Sequence, residues 1–111
     1  MRFLAIVLFL TAMTLGAQDA PQHKNLKVLK DDQVMPVMKA MQGALGQKCD
    51  FCHAMPDFAS DEKPKKQIAR VMMELANDIN AKFHDGKTHV TCYTCHRGAT
   101  TPETAPPTPS Q

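Results

Sequence analysis

Two five-residue stretches carry the chemistry of this sequence. They are CDFCH at 49–53 and CYTCH at 92–96, and between them they hold all four cysteines. Cysteines three positions apart project from the same side of a helical turn. Both sulfurs can then reach one edge of a flat macrocycle. A haem presents two vinyl groups on such an edge, each able to take a thioether bond, and the residue after the second cysteine sits beneath the iron. A histidine there ligates through an imidazole nitrogen. CxxCH is the attachment pattern that follows. Cys49 and Cys52 would hold one haem c with His53 as its proximal iron ligand. Cys92 and Cys95 would hold a second haem c with His96.

Two other uses of paired cysteines compete. Two CxxC pairs can share a zinc ion, but usually at a spacing of about 15–20 residues. Here 39 residues separate Cys52 from Cys92, and both histidines would be surplus. Disulfides, or a redox-active dithiol, call for a βαβ frame in the second case, and the sequence has no such pattern.

The distal ligand decides what a haem protein does. An iron with both axial positions filled moves electrons, and one with an open position binds or activates small ligands. The chain has 8 methionines. A helical methionine is ordinarily adaptable core filler, but two haem sites need two soft donors, and Met38 and Met72 fall at the same place in a repeat. They are the expected distal ligands. Met41 is the alternative at the first site and Met73 at the second. His23, His84 and His89 are read as exposed loop histidines, and His89 lies too close to Cys92 to cross to the opposite haem face. The rival function is a haem enzyme or small-ligand binder with one five-coordinate iron, the second site being the candidate.

The elements that position these groups are helical. One helix is expected from Asp32 to Leu45, with Val34, Met38, Met41 and Leu45 at the i, i+4, i+7, i+11 positions of one face. Asp31 or Asp32 can cap it, Pro36 fits its first turn and Gly46 can end it. A second is expected from Lys65 to Phe83, with Ile68, Met72, Leu75 and Ile79 in the same spacing. Ser60 or Asp61 marks its start, with Pro64 near its first turn. Each helix precedes one CxxCH, so the chain reads as a duplicated helix–turn–CxxCH unit. The fold class is mainly α: two pseudo-symmetric haem-binding units in a small multihaem cytochrome c domain. THVTCYT alternates briefly, but its cysteines explain it better than a strand does.

Around that domain the composition changes. Met1-Arg2 followed by FLAIVLFLTAMTLGA reads as a signal peptide over 1–17, which places the mature chain in the periplasm. An uncleaved membrane anchor is the alternative, although the apolar run is shorter than the roughly 20 residues of a spanning helix. Residues 18–24 are expected to be flexible, 25–99 to form the dihaem domain and 100–111 to be a disordered Pro/Thr-rich tail. Removing Arg2 with the signal leaves 12 Lys and Arg against 11 Asp and Glu, a balance that excludes a nucleic-acid partner. An ordered segment this small, without tryptophan, has a marginal core, and two haems would supply the missing apolar bodies. The expected partners are redox proteins, membrane-bound ones among them, with no small-molecule substrate. Arg97 could pair with a haem propionate, and Lys63, Lys65 and Lys66 could form a weak docking patch, although solvated side chains explain both.

The segments VMKAMQGALGQKCDFCH, FASDEKPKKQIARVMMELANDIN and VTCYTCHRG together resemble the cytochrome c subunit of bacterial photosynthetic reaction centres, over about Asn25 to Ala99. The resemblance implies electron transfer rather than catalysis, and a mostly helical fold. By position it carries the distal methionine role onto Met38 and Met72 and the proximal role onto His53 and His96. That family carries four haems, so two motifs imply half of its subunit.

Overall fold

The computed structural model describes residues 22–109. The expected signal peptide lies outside the described residues. Three α-helices organise the rest: α1, Val34–Leu45; α2, Pro64–Ala81; and α3, Cys92–His96. Single 3-10 turns at Asp31–Gln33 and Cys49–Phe51 introduce α1 and the first CxxCH. No strand forms among the described residues, whose one bridge pairs Ala54 with Asp57. From Thr101 to Pro109 the chain has no regular secondary structure.

α1 starts and stops for local reasons. Pro36 sits in its first turn, where no N–H is missed. Gly46 ends it in the left-handed region at φ 63°, as a helix C-terminal glycine does. A second constraint acts there: a Cβ on Gly46 would lie 2.5 Å from the Gly98 carbonyl oxygen. The Gly98 N–H donates to the Ala44 carbonyl at 2.8 Å. The end of α1 is thus locked to the turn just after the second CxxCH. The expected Asp31 or Asp32 cap is not made. Asp31 accepts from His23 instead, and the Lys30 N–H is satisfied by Gln33 Oε1 at 2.9 Å.

α2 opens on Pro64, pre-set for a first helical position. Neither Ser60 nor Asp61 caps it; Lys63 occupies that position without a side-chain bond. It ends at Ala81, where the Phe83 ring leaves to stack on His89 at 3.8 Å between centroids. Asn80 then gathers the returning chain. Its Oδ1 accepts from the His89 and Val90 N–H groups at 2.7 and 2.9 Å, and its amide donates to the Val90 carbonyl at 2.9 Å. These bonds aim the chain into α3, where Thr91 donates its N–H to Thr94 Oγ1 at 2.9 Å.

The polypeptide does not bury its own apolar side chains. Val34 and Ala44 are the only buried apolar residues among those described, while Ile68, Val71, Met72, Leu75 and Ile79 of α2 are all exposed. Fully burying one such side chain is worth about 1.5–3 kcal/mol, so an unpartnered stripe of five forgoes most of a small domain's stability. α1 packs chiefly on α3, and α1 and α2 barely touch. Between them lies a cavity.

Candidate haem sites

That cavity has a volume of about 520 Å³, within the range of ligand sites. Cys49, Cys52 and His53 line it from the first CxxCH. Val34, Met38, Met41 and Leu45 line it from α1; these are the four residues that the helical spacing puts on one face. α2 closes another side with Ala69, Arg70 and Met73. The cysteines carry free thiols. Gln42 reaches the Cys49 sulfur with its amide at 3.1 Å. Burial pushes the Cys52 thiol up, against the opposing pull of the Lys65 and Lys63 charges.

Both motif histidines are held in the same way. His53 Nδ1 is 3.0 Å from the Phe58 carbonyl oxygen, and His96 Nδ1 is 2.9 Å from that of Ala99. A carbonyl only accepts, so each ring donates from Nδ1 and keeps its lone pair on Nε2. A metal-ligating imidazole is fixed in this way, its other ring nitrogen donating to a carbonyl. The partner carbonyls sit at different offsets, five residues on in one motif and three in the other, yet the outcome at Nε2 is shared.

The second motif lines no part of the cavity, although its exposure matches that of the first, where Cys49 is exposed and Cys52 and His53 are half-buried. Cys92 and His96 are half-buried and Cys95 is exposed on α3. Met72 stands in the exposed α2 stripe, 46% accessible, and is not among the residues that line the cavity. Met73, the alternative expected at the second site, lines the first cavity. α2 is consequently two-sided: Lys66, Ala69, Arg70 and Met73 face the first cavity, and Ile68, Met72, Leu75 and Ile79 face away from it.

The sequence reading missed three things here. It did not place Met73 at the first motif. It did not find the Phe58 and Ala99 carbonyls that orient the imidazoles. It did not foresee that residues 23–29 line the first cavity, although His23 is the exposed loop residue it expected, with Nδ1 at 2.8 Å from Asp31. None of these had a periodic or motif signal.

The donor set fits a haem c. Paired thiols, a free imidazole nitrogen and thioether sulfurs converge on one apolar space, which is what covalent attachment and axial ligation require. A shared zinc ion has no support: no three His, Cys, Asp or Glu side chains converge among the described residues.

Residues 11–109 match the family model described as photosynthetic reaction centre cytochrome C subunit. The chain belongs to that family. It is 38% identical over 91 residues to cytochrome c-554 of Chloroflexus aurantiacus, a match covering 74% of this chain and 22% of the relative. It is 35% identical over 97 residues to the photosynthetic reaction center cytochrome c subunit of Thermochromatium tepidum, covering 81% and 24%. The corresponding subunit of Rubrivivax gelatinosus is 34% identical over 87 residues, covering 72% and 24%. The matched stretch therefore spans about a quarter of the length of these relatives, less than the half implied by motif count. Among the described residues of this reaction centre cytochrome family member, no helix is long and apolar enough to cross a membrane.

Proposed function

We propose that the chain is a periplasmic dihaem c-type cytochrome that carries electrons between redox partner proteins and does not catalyse substrate chemistry. The observation that carries this reading is the first cavity, where Cys49, Cys52 and His53 meet Met38 and Met41 across an apolar space. Each haem, when bound, supplies a one-electron ferric/ferrous couple. The chain's own residues do the rest. Cys49 and Cys52, then Cys92 and Cys95, tether the groups so that they cannot be lost outside the cytoplasm. The Phe58 and Ala99 carbonyls hold His53 and His96 with Nε2 directed to ligation. Met38 and Met72 serve as the distal thioethers, which favour the ferrous state and raise the potential. Leu45 and Val34 exclude water from the first site, and the α2 stripe supplies an apolar wall for the second.

Three relatives carry the reaction centre in their names, so a membrane-bound electron-transfer complex is the class of partner this reading favours. The test is a reduced-minus-oxidised absorption spectrum of protein matured with haem. A sharp c-type α band is expected, with a far-red methionine-to-ferric-iron band. A matured protein without an α band would overturn the reading.

The exposure of Met72 favours one second reading, in which the second iron lacks a sixth ligand and binds small molecules. Carbon monoxide would then bind the untouched reduced protein rapidly, at one haem per chain. A fully six-coordinate protein would bind it slowly or not at all.

A further inference from the structure

Residues 22–30 form neither a helix nor a strand, yet His23 through Leu29 all line the first cavity. Leu26, Val28 and Leu29 supply its apolar lining on that side. The segment is not held by packing, since positions 22–27 are exposed. Polar bonds hold it. At its start, His23 Nδ1 meets Asp31 at 2.8 Å. At its bend, Asn25 adopts φ 60°, a left-handed conformation that asparagine tolerates better than most residues. The Asn25 amide donates to the Ala59 carbonyl at 2.7 Å, and the Asn25 carbonyl accepts from Arg70 at 3.2 Å. Further on, Lys27 pairs with Asp61 at 3.3 Å.

Three cations meet at Asp61. Its carboxylate takes Lys27 from the segment, Arg70 from α2 at 2.9 Å and Lys66 from α2 at 3.3 Å. The Asn25 amide, then Lys66, Arg70 and Lys27, hold this carboxyl well below the usual carboxylate range, against the burial that would raise it. Arg70 is buried. Without Asp61 it would keep a charge with no counter-charge, which is costly in such a place, and its hold on the Asn25 carbonyl would loosen. Lys27 would lose its partner too. One carboxylate thus supports two attachments of the segment, the Lys27 ion pair directly and the Arg70 bond to the Asn25 carbonyl through Arg70.

We propose that residues 22–30 are a strap forming the outer wall of the first haem site, and that Asp61 is the positioning residue that clamps it shut. A wall fastened by side-chain bonds opens at lower cost than a packed helix. It can admit the macrocycle to Cys49 and Cys52 and would afterwards shield the first cavity from water and small ligands. The second motif does not line this cavity, so the shielding belongs to the first site. The inference rests on haem occupying the first cavity.

The experiment uses the full, haem-loaded chain and its Asp61→Asn variant, with imidazole as probe. Two quantities are read: hydrogen exchange of the backbone amides of residues 23–31, and the rate at which imidazole displaces the distal methionine of the ferric protein. The variant should exchange those amides faster and admit imidazole to the first haem about tenfold faster, the scale set by losing charge-assisted bonds. The rate at the second haem should be unchanged. Asn25→Ala, which lies on the exposed strap itself, should reproduce the effect if Asp61→Asn folds poorly. Unchanged exchange in both variants would show that Asp61 is no clamp. Faster exchange with unchanged imidazole entry would show that the strap is no wall. A chain that carries no haem would instead fail the functional reading on which the inference stands.

Discussion

The two CxxCH motifs share their cysteine spacing and their imidazole geometry, but their surroundings differ in kind. The first sits in a cavity walled by α1, α2 and the 22–30 strap, with Met38, Met41 and Met73 all turned inward. The second rides on α3, a helix of 5 residues docked on the end of α1, and the apolar stripe of α2 is exposed among the described residues. The motif therefore specifies attachment and the proximal ligand. What encloses the iron is set by residues far away in sequence. Two sites of equal local chemistry can then differ in water access and distal-ligand strength.

The largest test of that contrast removes one attachment at a time. Cys92→Ala with Cys95→Ala should leave one haem per chain and a first site with an intact far-red band. Cys49→Ala with Cys52→Ala should also lose one haem, but with a greater drop in Tm, because the space between α1 and α2 would lose its filling. Equal drops would mean that the two sites are equally built into the core. Both can be read by haem absorbance and thermal melts.

A finer comparison sets Met38→Ala against Met72→Ala. In the holoprotein each should abolish its own share of the far-red band. In the haem-free chain they should differ: Met38→Ala removes half-buried cavity lining and should cost about 2 kcal/mol, the low end for methionine truncation. Met72→Ala, at an exposed position, should stay within about 0.5 kcal/mol. A denaturant titration of both chains distinguishes the cases.

The joints between the halves make smaller but sharper targets. Gly46→Ala places a Cβ against the Gly98 carbonyl in a left-handed backbone, and should cost about 1–3 kcal/mol while disturbing the turn after His96. Asn80→Ala removes three bonds to residues 89 and 90 and should cost about 1–3 kcal/mol. It should alter the spectrum of the second haem and spare the first.

The smallest expected effect is that of pH. Asp31 is held below its ordinary range by the His23 backbone N–H and side chain, and Asp61 by Asn25 and three cations. Their folded-state pKa values are lowered, so the stability they contribute is present above about pH 4 and is lost as the pH falls through that range toward the folded values. Acid well below about pH 4 should free the strap before the rest of the fold, as hydrogen exchange at residues 23–31 would record. Asp61→Asn should flatten that acid limb.

Much of this was legible in the residues, and one helix was legible on one face only. CxxCH, the span of α1, its stop at Gly46 and its inward face all follow from spacing and backbone chemistry. The same spacing on α2 picks out Ile68, Met72, Leu75 and Ile79, but that stripe is not the one facing the first cavity. The cavity side of α2 mixes Lys66, Ala69, Arg70 and Met73, and a mixed face gives no periodic signal. The strap was invisible for a related reason: it is held by Asn25, Lys27 and Asp61 across long sequence separations, and such pairings leave no local pattern.

Intact-mass spectrometry of the exported, matured chain tests the central claim most directly. A polypeptide mass increased by two haems, retained after denaturation, is the predicted result. A mass equal to the amino acids alone, or increased by a single haem, would contradict it.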